Sequence, residues 1–115
     1  MNTIDRELLK ERLIGEGYIE DFNLNKTIDN LLNLKELSDQ SAYEMLVKWM
    51  STGKLTDFEP IEGIDKSYLR GTLKMKAPAI ILAYGMLLVA PKENAIFLKN
   101  QATRRKSFKF NSNKE

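Results

Sequence analysis

The densest group of chemically capable side chains in this 115-residue chain lies near its C-terminus: Arg104-Arg105-Lys106-Ser107-Phe108-Lys109-Phe110-Asn111. Clustered cations neutralise phosphates and release condensed counterions. Aromatic rings set among them stack on unpaired bases, each worth about 1–3 kcal/mol. Serine and asparagine add hydrogen-bonding groups. Lys99 precedes the cluster, and Lys74 and Lys76 supply two further cations upstream. A nucleic-acid reading assigns phosphate contacts to Lys99, Arg104, Arg105, Lys106 and Lys109, and stacking or wedging to Phe108 and Phe110. A plainer reading has Phe108 and Phe110 pin an edge strand to the domain, with the cations left as solvated surface. A third gives the patch to an acidic protein partner.

Other chemistries have less material. The chain has no cysteine and no histidine, which excludes disulfide frameworks, thiolate zinc sites, cysteine nucleophiles and imidazole acid–base work. Glu59, Glu62 and Asp65 repeat every third residue and offer oxygen ligands to a hard cation. Pro60, Ile61, Gly63 and Ile64 between them match no calcium-loop register, so a solvated acidic loop is the expectation. Gly15-Glu16-Gly17 is too short to cradle phosphate, and no glycine-lysine-serine follows it. The serines have no histidine to activate them, and no spacing pairs one with a lysine. The expectation is a protein that is not an enzyme and uses no cofactor and no metal.

A net charge of +2 conceals a division. Residues 1–65 hold 7 basic and 14 acidic side chains, net −7, whereas residues 66–115 hold 11 basic and 2 acidic, net +9. Such asymmetry points to polyanion binding or a charged tail. It also suits a head-to-tail contact between copies, or two halves that face each other within one fold. The length suits a single domain, and an apolar share of 43% is that of a globular protein.

Hydrophobic spacing supplies the elements that must hold these residues. Ile4, Leu8, Leu9 and Leu13 predict a first helix from Thr3 to about Ile14, capped by Asn2 or Thr3 and stopped by Gly15 and Gly17. After a loop at Tyr18 to Asn23, a second helix is expected from Asn25 or Lys26 to Leu37. Ser38 offers a cap for a third, Asp39 to Thr52, on which Tyr43, Leu46, Val47 and Met50 share a face and Gly53 is the stop. Trp49, Met45 and Met50 together suit an apolar docking patch, but at helical spacing the core is the expectation. Leu55 to Ile64, with Pro60 and Gly63, reads as a linker loop.

The second half supports two readings. Leu69 to Ala77 alternates with period two, as a strand does, yet Tyr68, Thr72, Met75 and Ala79 also fit a helix capped by Asp65. Ala79 to Ala90 is rich in alanine, leucine and methionine, with Pro78 at its first turn and Pro91 just beyond. A helix apolar all round belongs at the centre of a fold. The apolar run from Ala77 to Pro91 is 15 residues long, short of the roughly 17–25 that span a bilayer, and it lacks the polar face of a membrane-surface helix. Pro91 opens a final helix reaching about Lys106, or else a turn between strands Met86–Val89 and Ala95–Lys99.

The fold class expected is mostly α: one compact domain, residues 1–107, of five to six short helices around a buried apolar helix at 78–90, with residues 108–115 a flexible basic and aromatic tail. The alternative is α+β, with helices in 1–55 and a small antiparallel β-meander in 67–110. A helix–turn–helix fits poorly, because its reading helix would open Asp39-Gln40-Ser41 and carry Glu44, with Lys48 its lone cation. The functional expectation is a small binding protein whose basic C-terminal half contacts nucleic acid with little sequence specificity. The alternative is a protein-interaction module using the charge asymmetry: an inhibitor, adaptor or assembly subunit, including one carried by a mobile element, or a homo-oligomer. With no secretory signal at Met1-Asn2-Thr3-Ile4-Asp5-Arg6 and no cysteine, a cytoplasmic location and no membrane partner are expected.

Overall fold

The computed structural model describes the backbone of residues 4–37 and 40–113 and the side chains of 4–37 and 40–103. Its elements are α1 (Arg6–Gly15), α2 (Phe22–Leu32), α3 (Leu34–Leu37), α4 (Gln40–Thr52), a π-helical turn (Tyr68–Thr72), α5 (Ala77–Val89) and α6 (Pro91–Asn113). The mostly α architecture is the one the spacing predicts. Among the described residues there is no β-strand, only an isolated bridge between Ile61 and Ile64. The β-meander alternative is thereby overturned: its segments fall in the π turn, α5 and α6.

Helix α5 organises the rest, packing against α2, α3, α4 and α6. Its Ala77 and Ile81 complete a core of Leu9, Leu13, Leu24, Ile28, Leu31, Leu46 and Trp49. Its Ile80, Ala83 and Leu87 complete a second core with Ile64, Leu69, Leu73, Ala95 and Leu98. One helix thus divides and joins two clusters, and that is why it carries no charged face. Pro78 occupies its first turn as expected. At its other end the Asn94 amide donates at 2.6 Å to the Met86 carbonyl, which also accepts from the Ala90 N–H at 3.1 Å.

The helix ends show where local chemistry departs from apolar spacing. α1 is capped by Asp5, whose carboxylate accepts from the Glu7 N–H at 2.9 Å, not by Asn2 or Thr3. Gly17, at φ +104°, closes it, with the Tyr18 N–H on the Leu13 carbonyl and the Gly17 N–H on that of Ile14. Leu9 and Leu13 are buried as expected, whereas Leu8 is exposed. α2 begins at Phe22, three residues before the expected start, because the Asp21 carboxylate accepts from the Leu24 N–H at 3.0 Å. It ends at Leu32, short of the expected end at Leu37, which is exposed on α3. Ser38, the expected cap of the next helix, lies outside the described residues. On α4, Trp49 and Met45 are buried as core residues.

Neither reading of residues 65–77 holds throughout. Asp65 does cap a helical turn, accepting from the Tyr68 N–H at 2.8 Å. The turn then widens, with the Leu73 N–H on the Tyr68 carbonyl five residues back. Lys74 follows at φ 58°, a left-handed conformation that is uncommon for a side chain other than glycine. α6 outruns its expected end at Lys106, reaching Asn113. Of the tail expected at 108–115, residues 108–113 fall in its last turns, with their side chains outside the described residues, and 114–115 lie outside the described residues altogether.

Candidate functional site

The segment from Leu73 to Lys76 forms a ridge between two grooves. The first, about 600 Å³, is lined by Trp49 of α4, Gly53, Lys54 and Leu55 just beyond it, Lys66 before the π turn and Arg70 within it, Glu16 beyond α1, and Met75, Lys76 and Ala77 at the start of α5. The second, about 430 Å³, is lined by Tyr18, Leu73, Lys74, Met75, Lys76, Ala79, Phe97, Leu98 and Gln101. Met75 and Lys76 border both, so the two depressions are contiguous.

Each wall has a local cause. Gly53 at φ +75° ends α4 and lets the chain turn Lys54 back over the groove. Beneath it, the Arg12 guanidinium donates to the Met50 carbonyl at 2.6 Å and lies 5.7 Å from the centre of the Trp49 ring. Arg12 thereby ties α1 to the last turn of α4. The Lys76 ammonium donates to the Glu16 backbone carbonyl at 3.0 Å and sits 5.9 Å from the Tyr18 ring centre. Its charge is held in place without being neutralised. Burial, and to a lesser extent the Glu16 charge, raises the Tyr18 pKa above the usual 10.0.

The ion pairs found among the described residues are Arg6–Asp29, Lys10–Glu20 and Lys66–Asp57. Of the cations around the two grooves, Lys66 is therefore matched by a carboxylate, and its hydrogen bond and charge hold the Asp57 pKa below the usual 3.8. Lys54, Arg70, Lys74 and Lys76 are in no ion pair among the described residues, and Glu16 is the one carboxylate lining either groove.

Of the residues singled out from sequence, Lys74 and Lys76 are brought to the grooves, and Lys99 is exposed on α6. Arg104, Arg105, Lys106, Phe108, Lys109 and Phe110 belong to the last turns of α6, and their side chains lie outside the described residues. The backbone of Arg104 follows Gln101, which lines the second groove, by three residues, about 4.5 Å of helix rise. Sequence reasoning missed Lys54, Arg70, Tyr18 and Phe97. Arg70 was legible as a polar position in the alternating stretch with Lys74 and Lys76. Lys54 was hidden by its acidic neighbours.

No residue buried in the core is polar or charged, and no group of three or more carboxylates with metal-binding spacing occurs among the described residues. Asp65, from the acidic loop, is engaged with the Tyr68 N–H. No described helix is long and apolar enough to cross a membrane. The chain matches no family model, no curated protein and no solved structure.

Proposed function

We propose that this protein is a non-enzymatic nucleic-acid-binding protein of the cytoplasm, engaging the phosphate backbone through its basic second half with little sequence specificity. The observation that supports it most directly is the set Arg70, Lys74 and Lys76 from that half, joined by Lys54 from just beyond α4, gathered round contiguous grooves without ion-pair partners among the described residues. Lys99 is exposed on the helix that forms one wall, and Arg104, Arg105, Lys106 and Lys109 continue along that helix in sequence. Unpaired cations keep their counterion-releasing capacity, whereas internally neutralised ones lose it. Phe108 and Phe110 would add stacking. The absence of cysteine suits a reducing compartment.

Binding of a labelled oligonucleotide, followed by fluorescence anisotropy across a salt series, tests this. With about five phosphates contacted, log affinity should fall against log salt with a slope of about −4.5 on a duplex. Charge-reversed Arg70→Glu with Lys74→Glu should weaken binding of every sequence alike. A slope near zero, or no binding at low salt, refutes the reading.

A second reading is favoured by Ile19 and Phe22, which stand 76% and 77% exposed on the acidic half. Such side chains suit a protein partner, with the protein serving as an interaction module or self-associating. Capture of one protein regardless of nuclease treatment, lost in Phe22→Ser, would favour it over the first reading.

A further inference from the structure

The form of nucleic acid follows from the shape of the surface, on the premise that the proposed function holds. A duplex is a convex rod with its bases stacked inside, and it is gripped by a protruding helix or ribbon placed in a groove, or by cations displayed on a complementary face. Here the described cations border concave depressions. The second groove is lined by the apolar residues Leu73, Met75, Ala79, Phe97 and Leu98 together with Tyr18, Lys74, Lys76 and Gln101; Leu73 and Leu98 are buried beneath it, and Phe97 is 47% exposed. A partly apolar groove with an accessible aromatic side chain, bordered by cations, matches an unpaired base with its phosphates on either side.

We infer that the ligand is single-stranded, with one base lodged against Phe97 in the second groove and the adjoining phosphates carried by Lys74 and Lys76 on the ridge and by Arg70 and Lys54 in the first groove. Lys76 is suited to this role because the Glu16 carbonyl holds its ammonium at the boundary of the two grooves while leaving its charge unmatched. Phe97 makes the base its natural ligand: an accessible aromatic side chain in a partly apolar groove offers a face that any of the four bases can cover. Sequence tolerance is the consequence, since every base has a π face.

The experiment compares four labelled probes at one low salt concentration by anisotropy: a deoxythymidine oligomer of about 12 nucleotides, its uridine counterpart, an abasic strand of equal length and a duplex. The thymidine or uridine strand should bind at least about fivefold tighter than the duplex or the abasic strand, and the ratio of the first two separates DNA from RNA as the preferred source. Phe97→Ala should weaken binding of the base-bearing strands by about 5- to 100-fold, leaving the abasic strand and the duplex unaffected. Circular dichroism of the same variant should match the parent, because Phe97 is already half exposed. Arg70→Ala should weaken all probes together. Equal affinity for the strand, the abasic strand and the duplex, or indifference to Phe97→Ala, overturns the single-strand inference while leaving the nucleic-acid reading standing. Absence of binding to every probe overturns both.

Discussion

Replacing Arg12 by methionine isolates the contact that holds the floor of the first groove. The guanidinium makes a charge-assisted hydrogen bond to the Met50 carbonyl at 2.6 Å, near the C-terminus of α4, and lies over the Trp49 ring at 5.7 Å. A hydrogen bond from a charged donor contributes about 1.5–3 kcal/mol when well enclosed. Arg12 is half-buried, so about 1.5 kcal/mol is the appropriate share. The favourable end of the α4 dipole and the ring contact add about 0.3 and 0.5 kcal/mol at a partly exposed site. Methionine retains much of the apolar stem, so the predicted loss is about 2 kcal/mol. For 115 residues at about 2.1 cal/mol/K each, the unfolding entropy is about 0.24 kcal/mol/K, and the expected fall in Tm is about 8 °C. Urea unfolding followed through Trp49, the single tryptophan, measures it directly. Arg12→Lys should recover part of the loss, since an ammonium keeps the charge without the planar fork. A change below about 0.5 kcal/mol in Arg12→Met, the level of an ordinary surface substitution, would refute the latch.

Two further outcomes are expected. Asp21→Ala removes the acceptor for the Leu24 N–H and should cost about 1 kcal/mol in urea unfolding, with Asp21→Asn recovering most of it. The pH dependence should have opposite signs at the two extremes. The Lys66 hydrogen bond lowers the Asp57 pKa, so its contribution is present above the ordinary carboxylate value and is lost as pH falls through the depressed one. Lys10, raised by its hydrogen bond to Glu20, and Tyr18, raised by burial, contribute below their ordinary values of 10.5 and 10.0 and lose that contribution as pH rises through the raised ones. Asp57→Asn should therefore flatten the acid limb of a stability profile and Glu20→Gln the alkaline limb. Exchange of those two effects would overturn the assignment.

What the sequence disclosed and what it withheld divides along physical lines. α5 was legible because Pro78 and Pro91 punctuate it and its helix-forming apolar residues leave no polar face. α4 was legible because Tyr43 and Leu46 recur at helical spacing. The start of α2 was not, since Phe22 is exposed and the signal is a single carboxylate, Asp21, satisfying one backbone N–H. Residues 65–76 defeated periodicity, as the π turn and the left-handed Lys74 follow neither a two-residue nor a 3.6-residue repeat. The grooves were only half visible. Lys74 and Lys76 stood out by charge, whereas Lys54 reaches the same surface because α4 ends beside the start of α5. Tyr18 and Phe97 lie far apart in the chain and come to line one groove through tertiary packing alone. The cationic stretch at 104–110 was evident from composition, and it sits on the helix that walls the second groove.

The place of α5 in the chain also bears on the order of folding during synthesis. α1 to α4 are translated well before Ala77 and Ile81, yet the cluster they build includes both residues. A nascent chain that has emerged as far as Thr52 thus presents apolar side chains whose partners Ala77 and Ile81 are still inside the exit tunnel. Slow emergence of residues 53–76 would lengthen that exposure, and chaperone engagement should peak there, then fall once the residues up to Val89 have cleared it.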